Sequence, residues 1–239
     1  MITKIWESFL HFWASDRGLS IFLTMIVILV FILPLSASMG ITGRLLFDIF
    51  FSLLLVSGIA AISGRRKVFV TVAGISIVAL AVRWLDASNP SPLLELLDFL
   101  TTITATIFFA IVVLSQVLKK GPITPHRIQG AIAVYLLLGF AWAHVYALIE
   151  YLSPGAFTGA VSASGRFTSW MYFSFVTLAT LGYGDIAPLH PIARSLATAE
   201  AITGQLYLAI LIARLVSQEL HHRTSTIEDD SKDKTPPKS

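Results

Sequence analysis

The sequence predicts an all-α membrane protein with six transmembrane helices, in which a half-length re-entrant helix and a glycine-punctuated loop stand between the fifth and the sixth. Three observations carry that expectation. Of 239 residues, 55% are hydrophobic and only 13% charged, and the mean hydropathy is +0.78, against roughly a quarter charged in an ordinary soluble domain. The apolar residues gather in blocks of about 18 or more, the length that crosses the ~30 Å hydrocarbon layer of a bilayer. One further apolar stretch is too short to cross, and it runs straight into Gly182, Tyr183 and Gly184. Cysteine is absent, which excludes disulfides, thiolate metal sites and a cysteine nucleophile.

The six blocks run from about Ser20 to Ala37, Leu45 to Ile62, Val68 to Leu85, Leu93 to Leu118, Ile128 to Leu152 and Ile192 to Leu220. The first ends in Ser36, Ala37 and Ser38, small residues that resemble a signal-peptide cleavage site. Its apolar run exceeds the usual ~7 to 15 residues and follows a 19-residue lead, so an uncleaved helix is expected. The stretch from His221 to Ser239 is polar, mixed in charge and carries Pro236 and Pro237, a composition that predicts disorder.

Orientation comes from the basic residues. The net charge is +3 and the pI about 9.3, but the Lys and Arg side chains sit in short loops and not on one face, so nucleic acid is not an expected partner. Lys4, Arg17, Arg65, Arg66, Lys67, Lys119, Lys120, Arg127, Arg223, Lys232, Lys234 and Lys238 fall on one side of the membrane; Arg44, Arg83, Arg166 and Arg194 fall on the other. Both termini are therefore expected in the cytoplasm, with the stretch from Ser153 to Pro191 facing outward.

That stretch carries the chemistry. From Ser169 the chain reads SWMYFSFVTLATLGYGD. Ser169 to Ala179 would span only ~16 Å as a helix, about half a membrane. Extended backbone after such a half-helix is tolerable at membrane depth only if it is buried in protein or lines a polar path. Gly182 and Gly184 can take positive φ, which lets successive carbonyls turn to one side. The carbonyls of Thr180, Leu181, Gly182 and Tyr183, with the Thr180 hydroxyl, would then form a column of hard oxygen ligands suited to a weakly hydrated alkali cation. The helix that ends at the column would add its negative dipole end.

Thr180 to Asp185 resembles the selectivity-filter signature of potassium channels, and Arg127 to Ser217 resembles that family's outer helix, pore helix, filter and inner helix in order and spacing. The resemblance implies a voltage-independent six-helix potassium channel subunit, with K⁺ coordinated at Thr180, Leu181, Gly182, Tyr183 and Gly184. Leu181 stands where the family most often has valine, and only its carbonyl is needed. Val176 stands where some relatives carry a glutamate that pairs with the filter aspartate; Tyr172 is the partner that the sequence offers Asp185 instead. One filter strand per chain and no internal repeat imply a homotetramer in the plasma membrane. The implied organisation is a cytoplasmic segment 1–19, a four-helix membrane domain 20–118, a pore domain 119–220 and a disordered tail 221–239. No cofactor is expected beyond the permeant K⁺, and nothing in the sequence names an accessory subunit.

In the last helix, Gly204 lies 20 residues past Gly184, at the place of the family's flexible hinge, although a small residue there equally suits close helix packing. Gln205, Leu208, Ile212 and Val216 share an arc of about 80° at 100° per residue, and are assigned with Gly204 to the cavity and the cytoplasmic gate. Glu200 sits ~140° round from Gln205, pointing away from that cavity, with Ser174 and Thr177 or outer-helix residues as expected neighbours. As a carboxylate at membrane depth it is assigned to filter support with Asp185 and Tyr172. Trp142, His144 and Tyr146 read as packing and interfacial groups.

Two other readings fit parts of the pattern. One is a non-selective cation channel. The other is an intramembrane aspartyl protease, since Gly182 to Asp185 also fits G-x-G-D. That chemistry needs a second carboxylate, for which Asp48 and Asp98 are the candidates, and its Pro-Ala-Leu motif is missing; the nearest text is Ala187, Pro188 and Leu189. The block from Leu93 to Leu118 has no Lys or Arg, so it does not resemble a voltage-sensing helix.

Overall fold

The computed structural model describes residues 16–32, 34–35, 41–61, 66–119, 124–159 and 166–233. Among these residues seven helices follow one another: α1 (Asp16–Val27, continuing as a wider π-helical turn over Ile28–Ile32), α2 (Ile41–Ala61), α3 (Arg66–Ser88), α4 (Pro92–Val117), α5 (Pro125–Leu152), α6 (Arg166–Leu178) and α7 (Pro191–Asp233). Two strands, β1 (Phe157–Thr158) and β2 (Ala187–Pro188), pair antiparallel on either side of α6.

Among the described residues, four helical stretches are long and apolar enough to cross a membrane: Val68–Ser88, Pro92–Val117, Pro125–Leu152 and Pro191–Arg214. Within the first two predicted spans the described apolar helical stretches are Leu19–Ile32 and Leu45–Ser57. Pro34 has no N–H to continue the ladder, and the backbone widens at Ile28–Ile32 and then tightens into a 3₁₀ turn at residues 34–35. Ser36 to Ser38 and residues 1–15 lie outside the described residues.

Local chemistry sets the other boundaries. Ser91 caps α4, its hydroxyl accepting from the Leu94 N–H at 3.2 Å, with Pro92 following and Glu95 in the first turn. Pro125 opens α5, without a side-chain cap from Thr124, and Pro191 opens α7. The predicted disordered tail differs: α7 continues as helix through residues 221–233. Extending an existing helix needs no new nucleus, and neither Gly nor Pro intervenes between Gln205 and Thr235.

α5 is the central element, packed against α1, α4, α6 and α7. Its near-complete burial over Ala131, Ala133, Val134, Leu137 and Phe140 comes from apolar residues all round, as expected for a helix enclosed by others. The four-helix part and the C-terminal part share one core. Phe51 stacks on Phe140 at 5.5 Å, Phe47 meets Phe167 at 5.1 Å, and His144 lies 4.3 Å from the Phe167 ring.

Within that core the charges are paired. Arg83 on α3 forms a two-pronged contact with Asp98 on α4 (Nε–Oδ1 3.1 Å, Nη2–Oδ2 2.9 Å) and reaches Asp48 on α2 at 3.4 Å. Its guanidinium also lies 4.5 Å over the Phe51 ring. Arg83 and Asp48 are buried, so the three helices are tied by charges taken out of water. Losing one partner of a buried pair costs ~3 to 5 kcal/mol, because the other charge is left unsatisfied. Asp98→Ala, which removes both short contacts, is therefore expected to lower unfolding stability in detergent micelles by ~3 kcal/mol or more, and Asp48→Ala by distinctly less. Denaturant titration of both variants checks the order; equal losses would assign the pair wrongly.

Candidate functional site

The site is built on the 13-residue helix α6, too short to cross and held wholly by its neighbours. Its C-terminus closes with a Schellman pattern. The Thr180 N–H donates to the Thr177 carbonyl at 2.9 Å, and the Leu181 N–H reaches back to the Val176 carbonyl at 2.8 Å. The Gly182 N–H approaches the same Val176 oxygen at 3.4 Å. Two carbonyls that would be orphaned at membrane depth are thereby satisfied, and the chain leaves the helix at a fixed angle.

Such a cap needs a left-handed residue, normally glycine, just past the helix. Here the position is held by Thr180, at φ 58°. A β-branched residue in this region is an outlier, costing ~1 to 2 kcal/mol. Its hydroxyl is engaged: Gln205 Nε2 on α7 donates to Thr180 Oγ1 at 3.2 Å. Strain kept at a residue whose side chain is bonded points to a functional demand for that side chain.

Beyond it the backbone alternates. Gly182 has φ 60° and Gly184 φ 80°, with Leu181 and Tyr183 between them on the ordinary side of φ. Left- and right-handed residues in turn let successive carbonyls face one way, whereas a strand points them to opposite sides. A side chain at Gly182 or Gly184 would meet open space, so only the backbone hand requires glycine there. Leu181 and Tyr183 are exposed, at 58% and 67%.

After the loop, Asp185 takes a hydrogen bond from the Tyr172 hydroxyl on α6, and the Tyr172 ring stacks on Tyr183 at 6.4 Å and 7°. The outer end is strapped by β1 and β2, where Phe157 pairs with Pro188 and Thr158 with Ala187. The Ala156 carbonyl accepts from the Leu189 and His190 N–H groups at 2.8 and 3.1 Å. Gly159, at φ 106°, leaves room for the Asp185 carbonyl, into which a Cβ would run directly.

Of the residues assigned to cavity and gate, Gln205 reaches Thr180, and Leu208, Ile212 and Val216 follow on an exposed face of α7. Gly204 does not share that face. It is buried against α6, and a Cβ on it would strike the Leu178 carbonyl oxygen. One residue is 100° of helix rotation, enough to turn Gly204 inward while Gln205 points at the loop. The close contact accounts for a small residue at Gly204, and α7 runs through it without a break.

Glu200 is fully buried, one turn before Gly204 on the same side. It meets Ser174 Oγ on α6 at 2.5 Å and the Tyr146 hydroxyl on α5. Thr177 instead bonds its own helix, at the Phe173 carbonyl, 2.8 Å away. Tyr146 is thus an internal partner and not an interfacial group, while His144 packs on Phe140 and Phe167. The sequence reading also passed over Gly139 and Arg214. A Cβ at Gly139 would come within 2.5 Å of the Phe175 ring, so this glycine marks where α5 and α6 touch. Arg214 Nη2 donates to the Leu118 carbonyl at the end of α4, at 2.5 Å. Asp48 and Asp98, the carboxylates a protease would need beside Asp185, are both engaged with Arg83.

Comparison with known proteins bears on the same segment. Residues 131–219 match the family model described as ion channel. The chain is 37% identical over 81 residues to the inward rectifier potassium channel Kirbac3.1 of Paramagnetospirillum magnetotacticum, covering 32% of this chain and 24% of that one. It is 33% identical over 112 residues to two-pore potassium channel 5 of Arabidopsis thaliana, covering 46% and 25%. To protein LctB of Geobacillus stearothermophilus it is 36% identical over 86 residues, covering 34% and 62%. The chain spans about a quarter of the length of each of these two potassium channels. The half-helix, its capped turn and the alternating loop all lie inside the segment that matches the ion-channel family model.

Proposed function

We propose that the chain is one subunit of a potassium-selective channel that conducts K⁺ passively as a homotetramer. The observation that carries the proposal is the loop from Thr180 to Asp185. Left-handed backbone at Thr180, Gly182 and Gly184 supports a one-sided column of carbonyls, mounted on a capped half-length helix. K⁺ would be coordinated by the carbonyls of Thr180, Leu181, Gly182, Tyr183 and Gly184 and by the Thr180 hydroxyl, which Gln205 orients. One such loop per chain forms one wall, and four chains complete the pore. Asp185 with Tyr172, and Glu200 from behind, would support the column, while Leu208, Ile212 and Val216 would line the cavity and gate. In this reading α1 and α2 also span, giving six crossings in the plasma membrane with both termini in the cytoplasm, the side that collects most of the Lys and Arg. The deciding experiment is K⁺ against Na⁺ flux in liposomes reconstituted with the full chain; equal permeability would replace the proposal with a non-selective cation channel.

Gly182→Ala and Gly184→Ala test the loop itself. A Cβ finds space at both, so the penalty is the backbone strain of ~1 kcal/mol or more per subunit, repeated around the pore. Both variants are expected to assemble as tetramers and to lose selectivity for K⁺ over Na⁺. Wild-type permeability ratios in either would remove these residues from the conduction path.

Opening is expected to be nearly independent of voltage. One elementary charge crossing the membrane is worth ~2.3 kcal/mol per 100 mV, and steep gating needs about three or four per subunit. α4 contains no Lys or Arg, and Arg83 on α3 is buried between Asp98 and Asp48. A voltage ramp in symmetrical K⁺ should give a roughly ohmic current. A sigmoidal conductance curve with several effective charges per channel would mean that Arg65, Arg66 and Lys67 move through the field.

A further inference from the structure

Behind the pore helix α6, three buried oxygen contacts meet at one point. Ser174 Oγ lies 2.7 Å from the Gly139 carbonyl oxygen of α5 and 2.5 Å from Glu200 Oε1 of α7. The Tyr146 hydroxyl of α5 bonds Glu200 Oε2. Ser174, Tyr146 and Glu200 each have no exposed surface, so water does not complete the set from outside.

Two oxygens at these distances need a proton between them, and the protons can be counted. A serine hydroxyl carries one, a tyrosine hydroxyl carries one, and a backbone carbonyl carries none. Three contacts need three protons, and serine and tyrosine supply two. Were Glu200 ionised, Ser174 could serve either Gly139 or Glu200, and the other contact would set two lone pairs against each other. Among the described residues, no salt bridge involves Glu200. An unpaired carboxylate at membrane depth is also the costly alternative.

We propose that Glu200 is held as a neutral carboxylic acid and acts as a positioning residue for the filter. Its protonated Oε1 donates to Ser174 Oγ, the Ser174 hydroxyl passes its own proton to the Gly139 carbonyl, and Oε2 accepts from Tyr146. The chain of bonds runs in one direction, from Tyr146 on α5 through Glu200 on α7 and Ser174 on α6 back to Gly139 on α5, with no net charge. Two glycines make it possible. Without a side chain, Gly139 lets Phe175 and with it Ser174 approach α5, and Gly204 lets α7 close on Leu178 so that Glu200 can reach α6. Ser174 stands six residues before Thr180, so the bond holds the helix on which the filter is mounted. The filter role rests on the potassium-channel reading; the protonation state does not.

The test uses the full chain in lipid bilayers. The infrared spectrum of wild type minus Glu200→Gln should show the loss of an unionised carboxyl band, and Ser174→Ala should shift that band because its hydrogen bond is gone. Glutamine offers one donor and one acceptor at the same places, so K⁺ flux of Glu200→Gln in low K⁺ should stay within about twofold of wild type. Glu200→Ala should lose about tenfold or more, as the buried Tyr146 hydroxyl loses its acceptor and Ser174 its donor. Loss of an ionised carboxylate band instead, no shift in Ser174→Ala, or a Gln variant as impaired as the Ala variant would overturn the neutral acid. Wild-type flux in the Ala variant would overturn the positioning role. If Glu200→Ala does not assemble, Tyr146→Phe, which keeps the ring and removes one donor, serves for the same flux comparison, and there wild-type flux overturns the positioning role. If wild-type vesicles carry no K⁺, the channel reading fails, and the infrared difference still decides the form of Glu200.

Discussion

A backbone N–H or C=O inside a bilayer has no water to turn to, and a chain that stops being helical halfway across must find every partner within the protein. The Val176 carbonyl answers that demand here. By taking the Leu181 N–H, with Gly182 close by, it ends α6, sets the direction of the exit and forces Thr180 into left-handed backbone. The alternation through Gly182 and Gly184 starts from that residue. The loop is therefore not a flexible link that a ligand organises but a continuation of the helix cap, and its shape is inherited from α6.

A helix so short has little surface of its own to bury, which makes its seat decisive. α6 is held from two sides at glycines: Gly139 accepts the Phe175 ring and Gly204 accepts the Leu178 carbonyl. Close backbone approach is how helices associate where lipid supplies no hydrophobic drive, and it brings polar side chains within bonding distance. Further out, Phe157 packs on Trp170, Phe173 and Tyr146, so the strap of β1 and β2 and the buried end of α6 share one aromatic cluster. The N-terminal helices join the same body through Phe47 and Phe51, and the Arg83 charges lie beside that junction.

Much of this was legible in one dimension. Long apolar blocks announce helices because 1.5 Å per residue against a fixed bilayer thickness leaves few alternatives. The outward turn of Glu200 from Gln205 followed from 100° per residue, and the positive φ of Gly182 and Gly184 from the absence of a side chain. Thr180 was not readable in that way, since nothing in a threonine says that it will be left-handed; the cap imposes it. Nor did sequence distance reveal that Arg83 meets Asp98 across the Ser88–Ser91 turn, or that Tyr146 meets Glu200, since both depend on how helices dock. Gly204 pointed two ways, as pivot or as contact, and only the position of Leu178 separates them.

The uninterrupted course of α7 has a mechanical meaning. From Gly204, where it bears on α6, to Asp233 the helix extends ~44 Å, farther than the hydrocarbon layer is thick. A rod clamped near one end is a lever. A tilt of ~5° about the contact with Leu178 would carry the far end through ~4 Å while moving the region of Gln205 by a fraction of an ångström. Arg214, gripping the last carbonyl of α4, lies about a third of the way along that arm, where it bears on the lever's stiffness more than on its pivot. Force applied to the distal turns would thus be delivered, multiplied, where α7 meets α6 beneath the Thr180 loop.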